Sequence, residues 1–209
     1  MFRILICLLL GMSVANAEGE ESGDFDYYVL SLSWTPSWCE TEGDARESDQ
    51  CKPDQGFGFT LHGLWPQYEK GWPSYCRHNF RQATRAETAA VADIMGTSGL
   101  AWHQWKKHGS CAGMSAADYF DLSRKAYDSI ARSELLRELG REVDITANVV
   151  EQAFLEANPE LNADQIEITC KNGNIQEARI CLDKALNPRQ CTFLRASCGT
   201  GTYDLPPIR

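Results

Sequence analysis

The sequence lacks several features that would point to common classes of protein. Beyond its N-terminus, the 209-residue chain has no apolar run long enough to span a bilayer. It has no Cys-x-x-Cys pair, as zinc sites often do, and no Gly-x-Ser-x-Gly segment to carry a serine nucleophile. It also lacks positive charge, since 20 Lys and Arg face 29 Asp and Glu, for a net charge of −9. Generic nucleic-acid binders are basic, so action on a polyanion requires a local positive site or acidic conditions.

The N-terminus has the pattern of a secretory signal peptide. Arg3 precedes an apolar run over residues 4–10, and residues 15–17 (ANA) form a small-x-small cleavage site. We therefore expect a signal peptide over residues 1–17, cleaved near Ala17, and a secreted or periplasmic protein that leaves the membrane after cleavage. The alternative is a membrane anchor, for which the run is short.

The cysteine count agrees with export. Removal of the signal peptide takes away Cys7 and leaves eight cysteines. An even number of cysteines in an exported protein indicates disulfides. Eight cysteines allow about 105 pairings, and the sequence alone does not choose among them. They are Cys39, Cys51, Cys76, Cys111, Cys170, Cys181, Cys191 and Cys198.

Hydrophobic periodicity indicates one domain over residues 25–209, preceded by a flexible acidic N-terminus over residues 18–24. Alternation over residues 27–34 predicts a half-buried strand. Residues 57–62 predict a central buried strand that Gly63 and Pro66 end just after His62.

Helices follow these strands, and a hairpin comes last. Residues 84–87 (TRAE) form a capping box that starts a helix towards Met95. The Asn172-Gly173 dipeptide predicts a hairpin between two late strands. This order predicts the α+β class, with a central antiparallel sheet packed with several helices and stapled by disulfides.

Two tryptophan-bearing motifs hold three of the four histidines, at residues 59–66 (FTLHGLWP) and 102–109 (WHQWKKHG). On a helix with about 100° per residue, four polar side chains of the second motif share one face: His103, Gln104, Lys107 and His108. Trp102 and Trp105 fall on the opposite side and are expected to anchor the helix in the core. A zinc-protease helix needs histidines four apart with a glutamate beside the first, whereas these are five apart and the neighbour is Gln104.

The clustered groups suit metal-free acid–base chemistry. Histidine exchanges protons near neutral pH, and two imidazoles form a general base and general acid pair. A third imidazole, an ammonium and an amide stabilise charge on phosphate oxygens. RNA carries its own nucleophile in the 2′-hydroxyl and DNA does not, so the set favours RNA. The remaining histidine, His78, is interpreted as a satisfied core group or a solvent-exposed one.

The two motifs resemble the active-site segments of the ribonuclease T2 family of acid endoribonucleases. The matching segments are residues 61–66 (LHGLWP) and 103–111 (HQWKKHGSC), and the resemblance spans about residues 25–200. The forms WTPSWC and WHQW look more bacterial than plant or fungal. The resemblance implies a monomeric, low-specificity endoribonuclease without metal or cofactor that cuts single-stranded RNA through 2′,3′-cyclic phosphates.

The resemblance also implies residue roles. His108 would be the general base on the 2′-hydroxyl and His62 the general acid at the 5′-oxygen, while His103 and Lys107 hold the phosphate. Trp65 matches a base-stacking position, and the candidates by proximity are Gln67, Tyr68 and Trp72. The disulfides implied are Cys170–Cys198, Cys181–Cys191 and Cys76–Cys111, which leaves Cys39–Cys51.

One position departs from the family pattern, because Gln104 stands where a glutamate is usual. Glutamine keeps the hydrogen-bonding reach and loses the negative charge, so activity is expected to fall without disappearing. The alternative function is a non-catalytic RNA- or partner-binding relative. A secreted toxin or interaction protein with incidental nuclease activity is a third class.

Overall fold

The computed structural model describes residues 20–192 and 198–209. The signal peptide expected at residues 1–17 lies outside these described residues. Across the two described ranges, no helix combines the length and the apolar character that a membrane crossing needs.

The chain forms six strands and seven α-helices within the described ranges. The strands are β1 (Tyr27–Trp34), β2 (Phe59–Gln67), β3 (Val143–Ile145), β4 (Ile166–Lys171), β5 (Asn174–Leu182) and β6 (Tyr203–Leu205). The helices are α1 (Thr35–Trp38), α2 (Arg85–Ala89), α3 (Ala92–Met95), α4 (Ser98–Lys107), α5 (Ala116–Ser129), α6 (Glu134–Arg137) and α7 (Ala147–Ala157).

The strands form one sheet in the order β2-β1-β5-β6-β3, with β4 also paired to β5. The pairings are antiparallel except for a single parallel contact between β5 and β6. Asn172 and Gly173 join β4 to β5 with positive φ at both residues, as a type I′ hairpin requires. The predicted α+β class with a central, largely antiparallel sheet is confirmed.

The two faces of the sheet have different chemistry. Leu30 and Leu32 of β1 lie in register with apolar residues of β2 and β5 and face the main core, where Trp105, Tyr119 and Phe154 of the helices are buried. The opposite face has a second, small apolar cluster that includes Tyr27, Val29 and Cys181. Beside it this face is polar, with Thr60 of β2, Ser31 and Ser33 of β1, Glu177 and Arg179 of β5, and Glu167 and Thr169 of β4. Strand β1 is therefore buried on both faces, whereas its sequence alternation predicted burial of one face.

Strand β2 runs through Gly63 and Pro66 to Gln67, so the prediction that it ends at His62 was wrong. A β-bulge interrupts its pairing: Ser31 lies opposite Gly63 and Leu32 lies opposite Leu61, which leaves His62 as the extra residue. A bulge bends the strand and re-aims its side chains. His62 therefore projects from the middle of a strand.

Local signals located the helix starts correctly. Thr84 and Glu87 form the predicted capping box at α2, but the helix expected to reach Met95 is divided into α2 and α3. Strands β3 and β6 were not predicted, because three residues are too few to show a period of two. The described part of the acidic N-terminus, residues 20–24, bonds through its backbone to Arg77 and Cys111.

Four disulfides staple the fold, in the pairing that the resemblance implied: Cys39–Cys51, Cys76–Cys111, Cys170–Cys198 and Cys181–Cys191. Cys76–Cys111 ties the loop after β2 to the turn that follows α4, so it joins the two segments that carry the histidine motifs.

The close approach of α4 to β2 predicts a specific intolerance at Gly63. A Cβ there would overlap Trp65 Nε1 and Gln104 Oε1. We expect Gly63→Ala to lower the free energy of unfolding by roughly 1–3 kcal/mol, as overpacking of a well-packed site does. Chemical denaturation measures this change. Gly140→Ala is the matched control, because a Cβ on Gly140 meets open space; equal stability of the two variants would contradict the packing described.

Candidate active site

Trp65 lies at the centre of the two histidine motifs. Its ring stacks on His108, with centroids 5.2 Å apart and planes at 27°. His62 meets the same ring edge-on, at 5.1 Å and 78°. Trp65 Nε1 donates a 2.8 Å hydrogen bond to Gln104 Oε1. One indole therefore joins the bulged strand to the helix and contacts two imidazoles in different orientations, one edge-on and one stacked.

His62 reaches a carboxylate on another strand. Its Nδ1 lies 2.5 Å from Oε1 of Glu177, a residue of β5. Strand β1 separates β2 from β5, but the β1 side chains on this face are small, namely Ser31 and Ser33. The bulge and the two serines together allow His62 to cross β1.

Glu177 is buried, yet it stays ionised. Burial by itself would raise the pKa of this carboxyl, but the hydrogen bond from His62 and the charges of His62 and Arg179 lower the pKa to about 2. Arg179 donates to Oε2 through Nε at 2.9 Å and Nη2 at 2.7 Å. Because a carboxylate with so low a pKa only accepts hydrogen bonds, His62 Nδ1 carries a proton and Nε2 is the nitrogen left for a substrate.

Helix α4 carries most of the second motif, as predicted, but one of its two tryptophans is not where the helical face predicted it. Thr97 caps its N-terminus by accepting from the Leu100 amide, and His108 lies at its C-cap. Trp105 is fully buried, but Trp102 is 37% exposed, so the prediction that both tryptophans anchor the helix was wrong for Trp102. The indole of Trp102 instead lies under the Lys106 ammonium.

His108 is held as a neutral imidazole. Burial, followed by the nearby charges of Lys107, His62 and His103, lowers the pKa of His108 to about 3. Its Nδ1 is buried and has no hydrogen-bond partner within residues 20–192 and 198–209. A base must be unprotonated to act, and this environment keeps His108 unprotonated down to acidic pH.

His103 and Lys107 are more accessible to solvent than the other two polar side chains of this motif, Gln104 and His108. His103 is exposed and Lys107 is half-buried. Burial of its ring and the charges of Lys107, Lys106 and His62 lower the pKa of His103. Gln104, between them in sequence, is only 2% exposed and bonds to Trp65, so the four polar side chains of α4 have distinct surroundings.

A cavity of about 600 Å³ opens beside His62 and His103. Trp38 provides an aromatic wall, and Gln50 and Gln176 provide amides. Two cations, Lys171 and Arg46, lie at its edge, and both pair with Glu42, at 2.6 Å and 2.7 Å. The cavity thus combines a stacking surface, hydrogen-bonding groups and positive charge next to the histidines.

The structure separates the four residues considered for base binding. Trp65 lies among the histidines. Gln67 is buried and donates to the Pro66 carbonyl, Tyr68 packs against the core, and Trp72 is 60% exposed on the surface. Of the described residues that line the cavity beside His62, these four contribute none. His78, half-buried, packs edge-on against Trp105 at 5.5 Å, in agreement with a packing role.

Metal ligation finds little support among the described residues. One group of three possible ligands is close enough together, namely Cys39, Asp44 and Cys51, and its two cysteines are joined in a disulfide. Within the same described ranges, the histidines of the two motifs form no such group.

Sequence reasoning missed Glu177 and Arg179. The available signal was a pair of opposite charges at i and i+2 in a strand whose alternate positions, Ala178 and Ile180, are apolar. Charged residues rarely occupy a buried strand face unless they are paired. The partner of Glu177, however, is on a strand 115 residues away in sequence.

Comparisons with known proteins place the chain among ribonucleases in sequence and fold. The model of the Ribonuclease T2 family matches residues 25–191. A ribonuclease of Aeromonas hydrophila is 41% identical over 126 residues, which cover 56% of this chain and 55% of that protein. Ribonuclease I of Escherichia coli is 28% identical over 212 residues, which cover 80% of this chain and 79% of that protein. The chain spans about half the length of several curated relatives that it matches.

The fold has solved counterparts as well. The RNase-related protein from Calystegia sepium superposes with a TM-score of 0.67 over 87% of this chain and 97% of its own, at 21% identity. At this identity the likeness concerns the fold. The family match over most of the chain concerns the sequence, including both histidine motifs, and on that ground the chain belongs to the ribonuclease T2 family.

Proposed function

We propose that this chain is a metal-free endoribonuclease that cleaves single-stranded RNA through 2′,3′-cyclic phosphates. The observation that carries the proposal is the pair of imidazoles against Trp65, with ring centroids 5.1 Å and 5.2 Å from the indole. One of them is buried and neutral, and the other is hydrogen-bonded to a carboxylate. Such a pair supplies a base and an acid in one site.

The reaction divides into two balanced steps. His108 takes the proton of the 2′-hydroxyl while its oxygen attacks phosphorus. The bond from phosphorus to the 5′-oxygen breaks, and His62 Nε2 gives its proton to that oxygen. His103 and Lys107 stabilise the charge on the phosphate oxygens. In the second step His62 takes a proton from water while the water oxygen attacks phosphorus. The bond from phosphorus to the 2′-oxygen breaks, and His108 returns its proton to that oxygen.

The cavity favours low base specificity. A base that stacks on Trp38 is bound through its ring face, which every base has, while Gln50 and Gln176 each offer both a donor and an acceptor. Lys171 and Arg46 line the cavity and share the carboxylate of Glu42, and we infer that phosphates of the RNA backbone compete with Glu42 for them despite the net charge of −9. DNA lacks the 2′-hydroxyl, so we infer that it is not cut. Because the described site is built within one chain, we infer that the protein acts as a monomer.

Export is part of the proposal. Four disulfides persist in an oxidising compartment and are rare in the cytosol. We therefore infer a periplasmic or secreted enzyme, released by cleavage of the signal peptide expected near Ala17.

The first test is digestion of RNA in the presence of EDTA. We expect cleavage to persist, and His62→Ala and His108→Ala each to lower the rate by about 10²–10⁴-fold, the usual contribution of a general acid or base. Gln104→Glu keeps an acceptor for Trp65 Nε1, so its effect should be less than tenfold, about 1.4 kcal/mol in activation free energy.

His78→Gln is the matched control, because it removes the one histidine outside the two motifs; its rate should stay near that of the wild type. Small and equal losses from all four variants would refute the assignment of roles. RNA that is bound and left uncut by the wild type would favour the non-catalytic relative.

The second test is the pH dependence of kcat/KM. A base acts when deprotonated, and the lowered pKa of about 3 keeps His108 deprotonated through the mildly acidic range. We expect activity to persist at pH 4–5 and to decline near pH 3, and an acid–base pair gives a bell-shaped profile that declines again at alkaline pH. Rates measured on a dinucleotide give the profile, and a rate still rising through pH 9 would contradict it.

Lys107→Met serves as an internal check on that profile. The Lys107 charge disfavours protonated His108, so its removal raises the pKa of His108. The acidic limb should move to higher pH, whatever happens to the maximal rate. An unmoved acidic limb would show that a group other than His108 is the base.

A further inference from the structure

We propose that Glu177 is a positioning residue for the general acid: from β5 it fixes the proton of His62 on Nδ1 and thereby directs Nε2 to the leaving oxygen. This inference rests on the proposed function and concerns the same site. The second motif, residues 102–109, contains no carboxylate, so the carboxylate that serves the histidines must come from elsewhere in the fold.

The contacts of Glu177 are directional. Oε1 accepts from His62 Nδ1 at 2.5 Å and from Ser33 Oγ at 3.2 Å. Oε2 accepts from Nε and Nη2 of Arg179. Each oxygen has two donors, so the carboxylate plane is fixed by Arg179 on one side and can orient the imidazole on the other.

Glu177 and His62 differ in their exposure to solvent, and this difference fits their different roles. The Glu177 side chain is 2% exposed, whereas His62 is 33% exposed and lines the cavity. The carboxylate borders the same cavity but is almost fully shielded from water, and its hydrogen bond to Nδ1 lets it act through His62. A buried carboxylate orients an imidazole more firmly than an exposed one, because water does not compete for the hydrogen bond.

Small side chains on β1 allow the His62 side chain of β2 to reach Glu177 of β5. Adjacent strands lie about 4.8 Å apart, so β2 and β5 are separated by roughly twice that distance across β1. In register, Ser33 lies directly between Thr60 of β2 and Glu177 of β5. A larger side chain at Ser33 would occupy the path of the His62–Glu177 hydrogen bond.

The proton balance is simple under this assignment. His62 Nε2 gives its proton to the 5′-oxygen, and the Nδ1 proton stays between His62 and Glu177. The imidazole is then already the tautomer whose Nε2 can take a proton from water in the second step. Glu177 stays ionised throughout, because Arg179 neutralises its other oxygen.

A purely structural ion pair between Glu177 and Arg179 is the competing account, and leaving-group chemistry separates the two. A dinucleoside monophosphate expels a basic alkoxide and needs the acid. A nucleoside 3′-(4-nitrophenyl phosphate) with the same nucleoside expels a weakly basic phenolate and does not. An acid-positioning residue affects the first substrate selectively, whereas a structural residue affects both alike.

The experiment compares kcat/KM on both substrates for the full chain and for Glu177→Gln. We expect a loss of about 10–100-fold on the dinucleotide, within the range of general acid catalysis, and little loss on the nitrophenyl ester. His62→Ala should show the same selectivity to a larger degree, and His108→Ala should lower both rates, because both substrates need the 2′-hydroxyl deprotonated.

Glu167→Gln is the matched control, since Glu167 is a buried carboxylate on the same sheet face, opposite Arg179 in register; the ratio of its two rates should equal that of the wild type. Equal losses on both substrates, or no loss on either, for Glu177→Gln would overturn the inference. If that variant fails to fold, Glu177→Asp keeps the charge beside Arg179 and withdraws it from His62, and the same selective loss is expected. A wild-type chain inactive on both substrates would instead reject the proposed function.

Discussion

The hydrogen bond from Trp65 to Gln104 is the contact on which the site depends. It joins a strand near the N-terminal end of the domain to a helix 39 residues further along the chain. Its geometry fixes the indole on which His108 stacks and against which His62 lies edge-on. The amide oxygen of Gln104 supplies the acceptor that the buried indole N–H needs. A glutamate would supply an acceptor too, so the bond explains why an acceptor stands at position 104 and not why it is glutamine.

Charge is distributed so that each histidine has its own environment. His108 is buried beside Lys107, away from any described carboxylate partner, and is kept neutral. His62 lies against an ionised carboxylate, which favours an imidazole with a proton on Nδ1. Under the proposed function, two groups of the same type take opposite tasks because their surroundings differ, which is a recurrent way to obtain an acid and a base at one pH.

Local signals in the sequence predicted the elements that carry the motifs, and long-range contacts determined the rest. The Thr84 capping box, the Asn172-Gly173 turn and the helix of the second motif follow from side chain–backbone chemistry within a few residues. The bulge at His62 depends on the register with β1, and register is a property of two strands. Trp102 was misplaced because a helical wheel assigns faces without the neighbours that cover them, and Glu177 was missed because its partner is distant in sequence.

The central claim is that the two imidazoles act on the 2′-hydroxyl and the 5′-oxygen of RNA. The most direct measurement is the identity of the ends produced early in digestion, determined by mass spectrometry of a short single-stranded RNA treated in EDTA. The account predicts fragments that end in a 2′,3′-cyclic phosphate, with a 5′-hydroxyl on the other side of the cut. Fragments with a 5′-phosphate and a 3′-hydroxyl would contradict it, because those ends arise when water attacks phosphorus and the 3′-oxygen leaves.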